Sequence, residues 1–326
     1  MTGASGHLGY HIAKLLTEEK HSVRAFVRKT SYQDRLKELP LTIVYGDVFN
    51  MDSLQRAMDG IDTVFHTAAV YNLSPADNHK IIETAVRGTK NIFEAASKTK
   101  TAAKIIYTST AGTVGSSADK KRLLDESNYA KDSGLFPYIR AKIEAENAAI
   151  ESAKKYGIRT IICNPSVIVG KDDYKLTPSN EMLLTLNKFN MIYVDSGHSL
   201  VYVEDAARGH INAARYGRNL ERYLLSGDNV ELKTLIQKIN KIYNRKIPLI
   251  RLNRPVFLFV SLGLEVIAKM TGKDPSLTRT KAGKTINKFS FYDNSKAKKE
   301  LNFYPRKLDS YLKETLDWLL RRYTRP

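Results

Sequence analysis

A glycine-rich run opens the chain and leads directly into a helical pattern. Gly3, Gly6 and Gly9 stand three residues apart in Thr2-Gly3-Ala4-Ser5-Gly6-His7-Leu8-Gly9, and an amphipathic pattern follows over 10–16. Glycines at this spacing let the backbone turn tightly and approach a phosphate, and a helix start offers free N–H groups to that anion. The run predicts a pyrophosphate cradle made of Gly3, Ser5, Gly6, His7, Leu8 and Gly9. The alternative is a tight turn that merely starts a helix.

The segments beside this run favour the cradle but leave a gap. A dinucleotide-binding run of this kind lies between strands of a parallel sheet. Residues 22–28 predict the strand after it, whereas only Met1 and Thr2 precede it. An unfilled central position would leave two buried strands without hydrogen-bonding partners. We therefore expect an apolar strand upstream of Met1, in preference to a sheet that lacks its first strand.

Short β-branched segments alternate with helical patterns along the first two thirds of the chain. Strands are predicted over 22–28, 41–47, 63–69, 104–110, 159–164, 200–203 and 222–225, and helices over 78–98, 138–156 and 205–216. This alternation predicts an α/β fold with a Rossmann-type doubly wound parallel sheet. We expect a dinucleotide-binding domain over 1–164, to which 200–226 return. A smaller, mainly helical substrate lobe then comprises 165–199 and 227–326.

The cysteine content and the apolar segments bear on the compartment. The 326 residues contain one cysteine, which fits a reducing environment, and no secretory leader pattern opens the chain. The longest apolar stretch, 255–268, contains Glu265 and is too short to span a bilayer. We expect a cytoplasmic protein without a transmembrane segment, in which this stretch lines a substrate pocket. Weak association with a membrane surface is the less favoured interpretation.

The net charge of +18 is concentrated at the C-terminal end. Residues 233–326 contain 22 Lys and Arg against 7 Asp and Glu. A basic region can attract nucleic acid, anionic lipid or a phosphorylated substrate, but it is more often a solvated face. No nucleic-acid-binding motif accompanies it, so we expect no nucleic-acid partner.

The end of the second predicted strand bears on the choice of cofactor. NAD-binding folds usually carry an acidic residue about twenty positions after the glycines, where it binds the ribose 2′-hydroxyl. Here Arg28 stands nineteen residues after Gly9 and Lys29 follows it. Because a guanidinium suits a 2′-phosphate, NADP is favoured over NAD. Asp47 and Val48 end the next strand where an adenine would lie; the alternative role of Asp47 is to cap the helix that follows.

A tyrosine and a lysine stand one helical turn apart at 138 and 142. A nearby positive charge lowers the pKa of a phenol from its usual value near 10, so Tyr138 beside Lys142 can serve as a general acid or base. The spacing also occurs at Tyr10/Lys14 and Tyr292/Lys296. Only Tyr138 begins a long helix after a strand that ends in hydroxyl residues, and this position selects it.

That strand end carries Thr108, Ser109 and Thr110. Ligands of doubly wound folds bind at the carboxyl edge of the sheet, where a hydroxyl can orient a substrate oxygen toward the phenol. From the residues alone any of the three could do so, and a turn-forming role is the alternative.

Together these stretches resemble the extended short-chain dehydrogenases/reductases of the NAD-dependent epimerase/dehydratase family, and most closely the dihydroflavonol-reductase-like branch. The matching stretches cover nearly the whole chain: 2–9, 46–48, 66–69, 88–91, 108–115, 138–142, 164–166, 174–179 and 293–297. The resemblance implies that Thr110 orients the substrate, that Tyr138 is the acid/base, and that Lys142 holds the nicotinamide ribose. It also implies cofactor contacts from Thr67, Ala68, Ala69, Pro165 and Val167, no metal, and a homodimer in many members.

One position departs from the family pattern. Members commonly carry Asn where this chain has Ala85, one residue before the Val of Val-x-Gly-Thr. That side chain braces the loops around the cofactor, so its loss is expected to weaken binding or proton relay. The catalytic set of Thr110, Tyr138 and Lys142 is complete.

Three functions remain open at this stage. The favoured one is an NADP-dependent oxidoreductase that moves a hydride between the cofactor and a small ketone, aldehyde or alcohol. A nucleotide-sugar epimerase or dehydratase is the enzymatic alternative, because the basic C-terminal lobe could hold a diphosphate. A non-catalytic NADP-binding redox sensor is the third, and the complete catalytic set argues against it.

Overall fold

The strands of the central sheet all run parallel, as the alternating pattern predicts. The structure, a computed structural model, describes residues 1–68, 78–99, 101–131, 136–271, 282–283 and 285–324. The central strands are β1 (Arg24–Val27), β2 (Thr42–Tyr45), β3 (Thr63–His66), β4 (Lys104–Thr108), β5 (Arg159–Pro165) and β9 (Arg222–Leu225). β1 pairs with β2, and β3, β4, β5 and β9 pair in that order. The predicted Rossmann-type sheet is therefore confirmed.

Thr2 lies between the two halves of this sheet. It forms one parallel bridge to Phe26 of β1 and another to His66 of β3. Its amide donates to the Phe65 carbonyl at 2.9 Å, and the Phe26 amide donates to the Met1 carbonyl at 2.8 Å. Met1 and Thr2 thus occupy the position between β1 and β3, for which the sequence analysis found no strand.

Helices cover both faces of the sheet. They are α1 (His7–Glu18), α2 (Asp34–Lys37), α3 (Met51–Met58), α4 (Asn78–Ser97), α5 (Pro137–Tyr156), α6 (Pro178–Lys188), α7 (Val203–Tyr216), α8 (Leu232–Ile242), α9 (Arg254–Thr271), α10 (Ser295–Leu301) and α11 (Leu308–Tyr323). One core joins α1, α7 and α10 to Ile106 and Ile161, and the opposite core joins α3, α4 and α5 to Ile105 and Ile162. Because neighbouring strand residues enter opposite cores, these strands are buried on both faces.

Further strands lie outside the central sheet, and helices pack against them. These strands are β6 (Val167–Val169), β7 (Ile192–Tyr193), β8 (Ser196–Tyr202), β10 (Asp228–Glu231), β11 (Ile250–Arg251) and β12 (Lys288–Ser290). β8 pairs with β6, β10 and β12, and β7 pairs with β11. A core around Leu200, Tyr202 and Tyr311 packs α6, α8 and α11 against β8.

Among the predicted strands that end earlier than expected, β2 and β4 are followed by candidate site residues. β2 ends at Tyr45, so Asp47 and Val48 lie in the loop beyond it. β4 ends at Thr108, and the chain turns into a short 3-10 helix over Ala111–Thr113 with Thr110 at its start. In both cases the polar or glycine residues at the strand end form turns instead of continuing the ladder.

Candidate active site

The glycine-rich run adopts a conformation that side chains would obstruct. Gly3 has φ of +73°, and a Cβ built there would lie 2.6 Å from Thr67 Oγ1 and 2.7 Å from the Ala68 nitrogen. A Cβ at Gly9 would lie 2.1 Å from the Gly3 oxygen. The first turn of α1 carries no acidic residue. Its N-cap is Gly6, which has no side chain that could bind the free N–H groups. The N–H end of α1 is thereby open to an anion, as a bound dinucleotide requires.

A pocket lies beside this loop, and the smaller lobe supplies one of its walls. Its lining includes Ser5, Gly6, Tyr32, Tyr174 and Lys175. Lys175 Nζ lies 3.4 Å from Ser5 Oγ. Burial first, and then the charge of Arg28, lower the pKa of Lys175. The Lys175 ammonium therefore approaches the loop, and Arg28 lies close enough to affect its charge.

The segment over 171–175 is held in place by contacts that the sequence did not indicate. His7 Nε2 lies 2.9 Å from the Lys171 oxygen, so its ring anchors this segment to α1. The Arg35 guanidinium lies 3.3 Å from the centroid of the Tyr10 ring and 4.6 Å from that of Tyr174. It also forms an ion pair with Asp172 at 3.3 Å. Apart from Arg35 on Tyr10, these contacts join positions more than 100 residues apart in sequence, so they become recognisable only after folding.

The remaining predicted adenosine-side residues lie around the ends of β1 and β2. Arg28 and Lys29 are exposed just after β1. Asp47 Oδ1 accepts a hydrogen bond from the Phe49 amide at 2.9 Å. The helix α3 is capped instead by Asn50, whose Oδ1 accepts from the Ser53 amide, so the alternative role of Asp47 as the helix cap is wrong. Val48 packs at the edge of the core.

The end of β3 lies against the glycine-rich loop. Thr67 Oγ1 donates to the Thr2 carbonyl at 2.7 Å. The Ala68 amide lies 3.4 Å from Thr2 Oγ1. Thr67 and Ala68 are therefore next to the predicted cradle, while Ala69 falls outside the described residues.

The three hydroxyls at the end of β4 have different surroundings. Thr108 and Ser109 are buried, and the Ser109 hydroxyl donates to Glu146. Thr110 is partly exposed, and its Oγ1 accepts from the Gly112 amide at 3.2 Å, which leaves its hydroxyl hydrogen available to another acceptor. Among the three, Thr110 is the one that is partly exposed.

The first turns of α5 carry Tyr138 and Lys142, and Lys142 reaches this strand end. Pro137 begins the helix, where its missing N–H costs no hydrogen bond. Lys142 is buried, and its Nζ donates to the Thr108 carbonyl at 3.0 Å. Burial lowers the pKa of Lys142 to about 8, although the charge of Glu146 acts in the opposite direction. Tyr138, in the first turn of the same helix, is only partly buried.

Close packing between α5 and the 3-10 turn depends on the absence of a side chain at Gly112. A Cβ there would lie 2.4 Å from Ile139 Cδ1, the residue after Tyr138. The glycine thus lets the turn that carries Thr110 pack against the start of α5. Neither the Tyr-x-x-x-Lys spacing nor the hydroxyl run predicts this contact.

A buried carboxylate, Glu146, lies one turn beyond Lys142. Its Oε2 accepts from Thr113 Oγ1 at 3.1 Å and from Asn164 Nδ2 at 3.0 Å. Its Oε1 lies 2.8 Å from Arg222 Nε, and both side chains of this ion pair are buried. The network joins α5, the 3-10 turn, β5 and β9. Sequence inspection missed it, although Glu146 continues the i, i+4 series from Tyr138 and Lys142.

Pro165 and Val167 lie where β5 passes into β6. Pro165 is buried, and Val167 is half-buried against the core of the smaller lobe. Within the described residues, three buried side-chain oxygens near these strand ends have no hydrogen-bond partner: Thr108 Oγ1, Asn164 Oδ1 and Ser166 Oγ. Because unpaired buried oxygens are costly, this edge of the sheet suits a ligand with polar groups such as a nicotinamide ribose.

Comparison with known proteins shows which family the chain belongs to. The family described as "NAD dependent epimerase/dehydratase family" matches residues 1–225. A Synechocystis protein named "Putative dihydroflavonol 4-reductase" is 30% identical over 98% of this chain and 93% of its own length. Sterol demethylase protein B of Methylococcus capsulatus is 25% identical over 99% and 98% of the two chains. The crystal structure of gox2253 superposes with a TM-score of 0.85 at 32% identity, covering 100% of this chain and 98% of the other.

We predict that Glu146→Gln lowers the free energy of unfolding by about 3 kcal/mol, because it leaves the buried Arg222 charge without its partner. Urea denaturation followed by circular dichroism measures the change. Glu144→Gln is the matched control: Glu144 is exposed on the same helix, and its substitution should alter stability by less than about 0.5 kcal/mol. Equal effects of the two substitutions would show that the buried pair contributes no special stability.

Proposed function

Because the chain belongs to the NAD-dependent epimerase/dehydratase family and has reductase relatives over its full length, we propose that it is an NADP-dependent oxidoreductase acting on a ketone, aldehyde or alcohol. The family membership makes it an NAD(P)-dependent enzyme of the extended short-chain dehydrogenase/reductase type. The observation that carries the finer proposal is the position of Lys142, whose ammonium binds the end of the strand that leads to Thr110. This contact supports a role for the Tyr138–Lys142 turn of α5 beside the hydroxyl-bearing strand end.

Thr110, Tyr138 and Lys142 have different roles in the proposed proton transfer. Bound NADPH would supply the hydride to the carbonyl carbon. The Thr110 hydroxyl donates to the substrate oxygen and orients it toward Tyr138. Tyr138 gives its phenolic proton to that oxygen as negative charge develops there, and takes it back in the oxidation direction. Lys142 favours the phenolate with its positive charge and binds the ribose hydroxyls of the nicotinamide nucleotide.

The charges around the glycine-rich loop support NADP as the cofactor. Arg28 and Lys29 follow β1 at the position where an NAD-binding chain would carry an acid. Lys175 approaches the same loop from the smaller lobe. A 2′-phosphate adds negative charge that these side chains can neutralise, whereas NAD offers only a hydroxyl there.

The names of the relatives support a carbonyl or alcohol substrate on a largely apolar molecule. One relative is named for dihydroflavonol reduction and another for sterol demethylation. Both names refer to fused-ring compounds. We therefore propose a ring ketone, or the corresponding alcohol, as the class of substrate to test first.

A nucleotide-sugar epimerase or dehydratase is the second candidate, since the family description includes both reactions. The basic C-terminal segment favours it in principle. Several of these cations already form ion pairs, among them Lys238 with Asp309 and Arg306 with Glu204. Tight binding of a nucleotide sugar together with cofactor that survives dialysis would favour this candidate. Binding of NADPH without turnover of any carbonyl would instead favour a redox sensor.

We predict that Tyr138→Phe lowers kcat for carbonyl reduction by at least about 100-fold, because the substrate oxygen loses its proton donor. NADPH affinity, measured by fluorescence titration, should stay within about twofold. Tyr304→Phe is the control, since it removes the hydroxyl of a phenol that is 73% exposed, on a segment away from α5. Equal turnover by wild type and Tyr138→Phe would remove Tyr138 from the mechanism.

We also predict that kcat/KM for carbonyl reduction falls as the pH rises through about 8. The pKa of Lys142 is lowered to about 8 by burial. Above that pH the ammonium loses its charge, the pKa of Tyr138 rises, and the phenol becomes a weaker acid. Lys142→Arg keeps its charge throughout this range, so its slower reaction should lose the decline near pH 8. A decline at the same pH in Lys142→Arg would assign it to a different group.

For the cofactor, we predict that Arg28→Asp shifts the ratio of NADPH to NADH affinity toward NADH by at least about tenfold, because a charged hydrogen bond to the 2′-phosphate is replaced by repulsion. Isothermal titration with both cofactors measures the ratio. Arg56→Asp changes the net charge equally on the exposed face of α3 and should leave the ratio unchanged. An unaltered ratio in Arg28→Asp would contradict the assignment of NADP through this residue.

A further inference from the structure

The helix α9 exposes apolar side chains on the side opposite its buried face. Ser261 and Ala268 are buried and mark the inward side. Phe259 is 75% exposed and Met270 is 82% exposed, and both project from the other side. Amphipathic surface helices normally present polar residues there. An exposed apolar helix face of this kind usually marks an interaction surface.

A two-stranded ribbon precedes α9 and adds to this surface. Ile192 of β7 and Ile250 of β11 are paired in register, so their side chains share one side of the ribbon. Both are exposed, and the chain passes from β11 into α9 within three residues. We define the apolar patch as the exposed side chains of these two segments and the turn before β7: Phe189, Met191, Ile192, Ile250, Val256, Phe259, Val260, Leu262 and Met270.

Basic residues border the apolar patch. Lys188 lies with its Nζ 5.5 Å from the centroid of the Phe189 ring. Lys246 and Arg254 are exposed on the chain that leads through β11 into α9. Arg251 forms an ion pair with Asp195, the acidic partner that the structure gives it among the described residues. Cations therefore exceed acidic groups along this border, in line with the basic balance of 233–326.

We propose that the apolar patch docks the protein on the surface of an anionic lipid bilayer, with α9 lying in the plane of the interface. Apolar side chains flanked by Lys and Arg are the composition that interfacial helices use: the first group enters the acyl boundary and the second binds anionic headgroups. Of the helices in the described ranges, none is long and apolar enough to cross a membrane. The inference thus concerns attachment to a surface, and it does not depend on the proposed reductase activity.

The same border of charges argues against a second copy of the chain as the occupant. A symmetric dimer buries the same patch of both copies, so the bordering cations would meet a surface that carries few acidic partners for them. An anionic bilayer offers the opposite charge and an apolar interior together. Lipid is therefore the occupant that matches both the apolar side chains of the patch and the basic residues at its border.

The test is co-sedimentation of the full chain with vesicles, without cofactor or substrate, so that a negative result leaves the proposed reductase activity untouched. Vesicles of phosphatidylcholine with 30% phosphatidylglycerol should bind at least about tenfold more protein than vesicles of phosphatidylcholine alone, and added salt should reduce the difference. The double variant Phe259→Ser/Val260→Ser should bind at least about tenfold more weakly. Tyr304→Ser is the matched control, because Tyr304 is 73% exposed on a different segment, and it should bind like wild type.

A second pair of variants tests the charges without altering the apolar face. Lys246→Gln/Arg254→Gln should reduce binding to the anionic vesicles at least about tenfold, whereas Lys20→Gln/Lys98→Gln, at exposed positions in the nucleotide-binding part, should not. Thermal unfolding checks that every variant folds. Equal binding to both vesicle types, no loss in either patch variant, or a dimer in solution that Phe259→Ser/Val260→Ser dissociates would each overturn the proposal.

Discussion

The arrangement of the candidate active site depends on one buried carboxylate. Glu146 on α5 accepts hydrogen bonds from Ser109, Thr113 and Asn164 and forms an ion pair with Arg222. These partners belong to the strand ends and to the 3-10 turn, so the network fixes α5 relative to the carboxyl edge of the sheet. A buried charge is tolerated only when its partners are complete. The requirement to satisfy Glu146 therefore holds the start of α5 in register with the turn that carries Thr110.

The same network sets the electrostatics around Lys142. Burial favours the neutral amine, while the neighbouring Glu146 charge favours the ammonium, and the pKa of about 8 reflects this opposition. His66 lies nearby, and burial followed by the charge of Lys142 lowers its pKa to about 3. It is therefore neutral at physiological pH and adds no second positive charge. Under the proposed function, Lys142 is then the cation that lowers the pKa of Tyr138.

The sequence predicted the parallel sheet, its main helices and the candidate site residues. It did not predict the contacts that hold those residues in position. Short β-branched runs that alternate with helical patterns predicted the parallel sheet, and the glycine spacing predicted the loop before α1, because both depend on local backbone preferences. The resemblance nominated Thr110, Tyr138 and Lys142. The contacts of Glu146 with Arg222 and of Lys175 with Ser5 join residues 76 and 170 positions apart. No local pattern encodes such pairings, and the fold has to be known before they can be recognised.

The contact between Lys175 and the glycine-rich loop links the two parts of the chain. Lys175 belongs to the segment between β6 and α6, yet it reaches Ser5 beside α1. The guanidinium of Arg35 lies against both the Tyr10 and Tyr174 rings and pairs with Asp172, so this segment is tied to the nucleotide-binding part even before any phosphate binds. Under the proposed function, cations from both parts would share one phosphate group. Under the same proposal, the contacts that would recognise the cofactor also position the segment over 171–175.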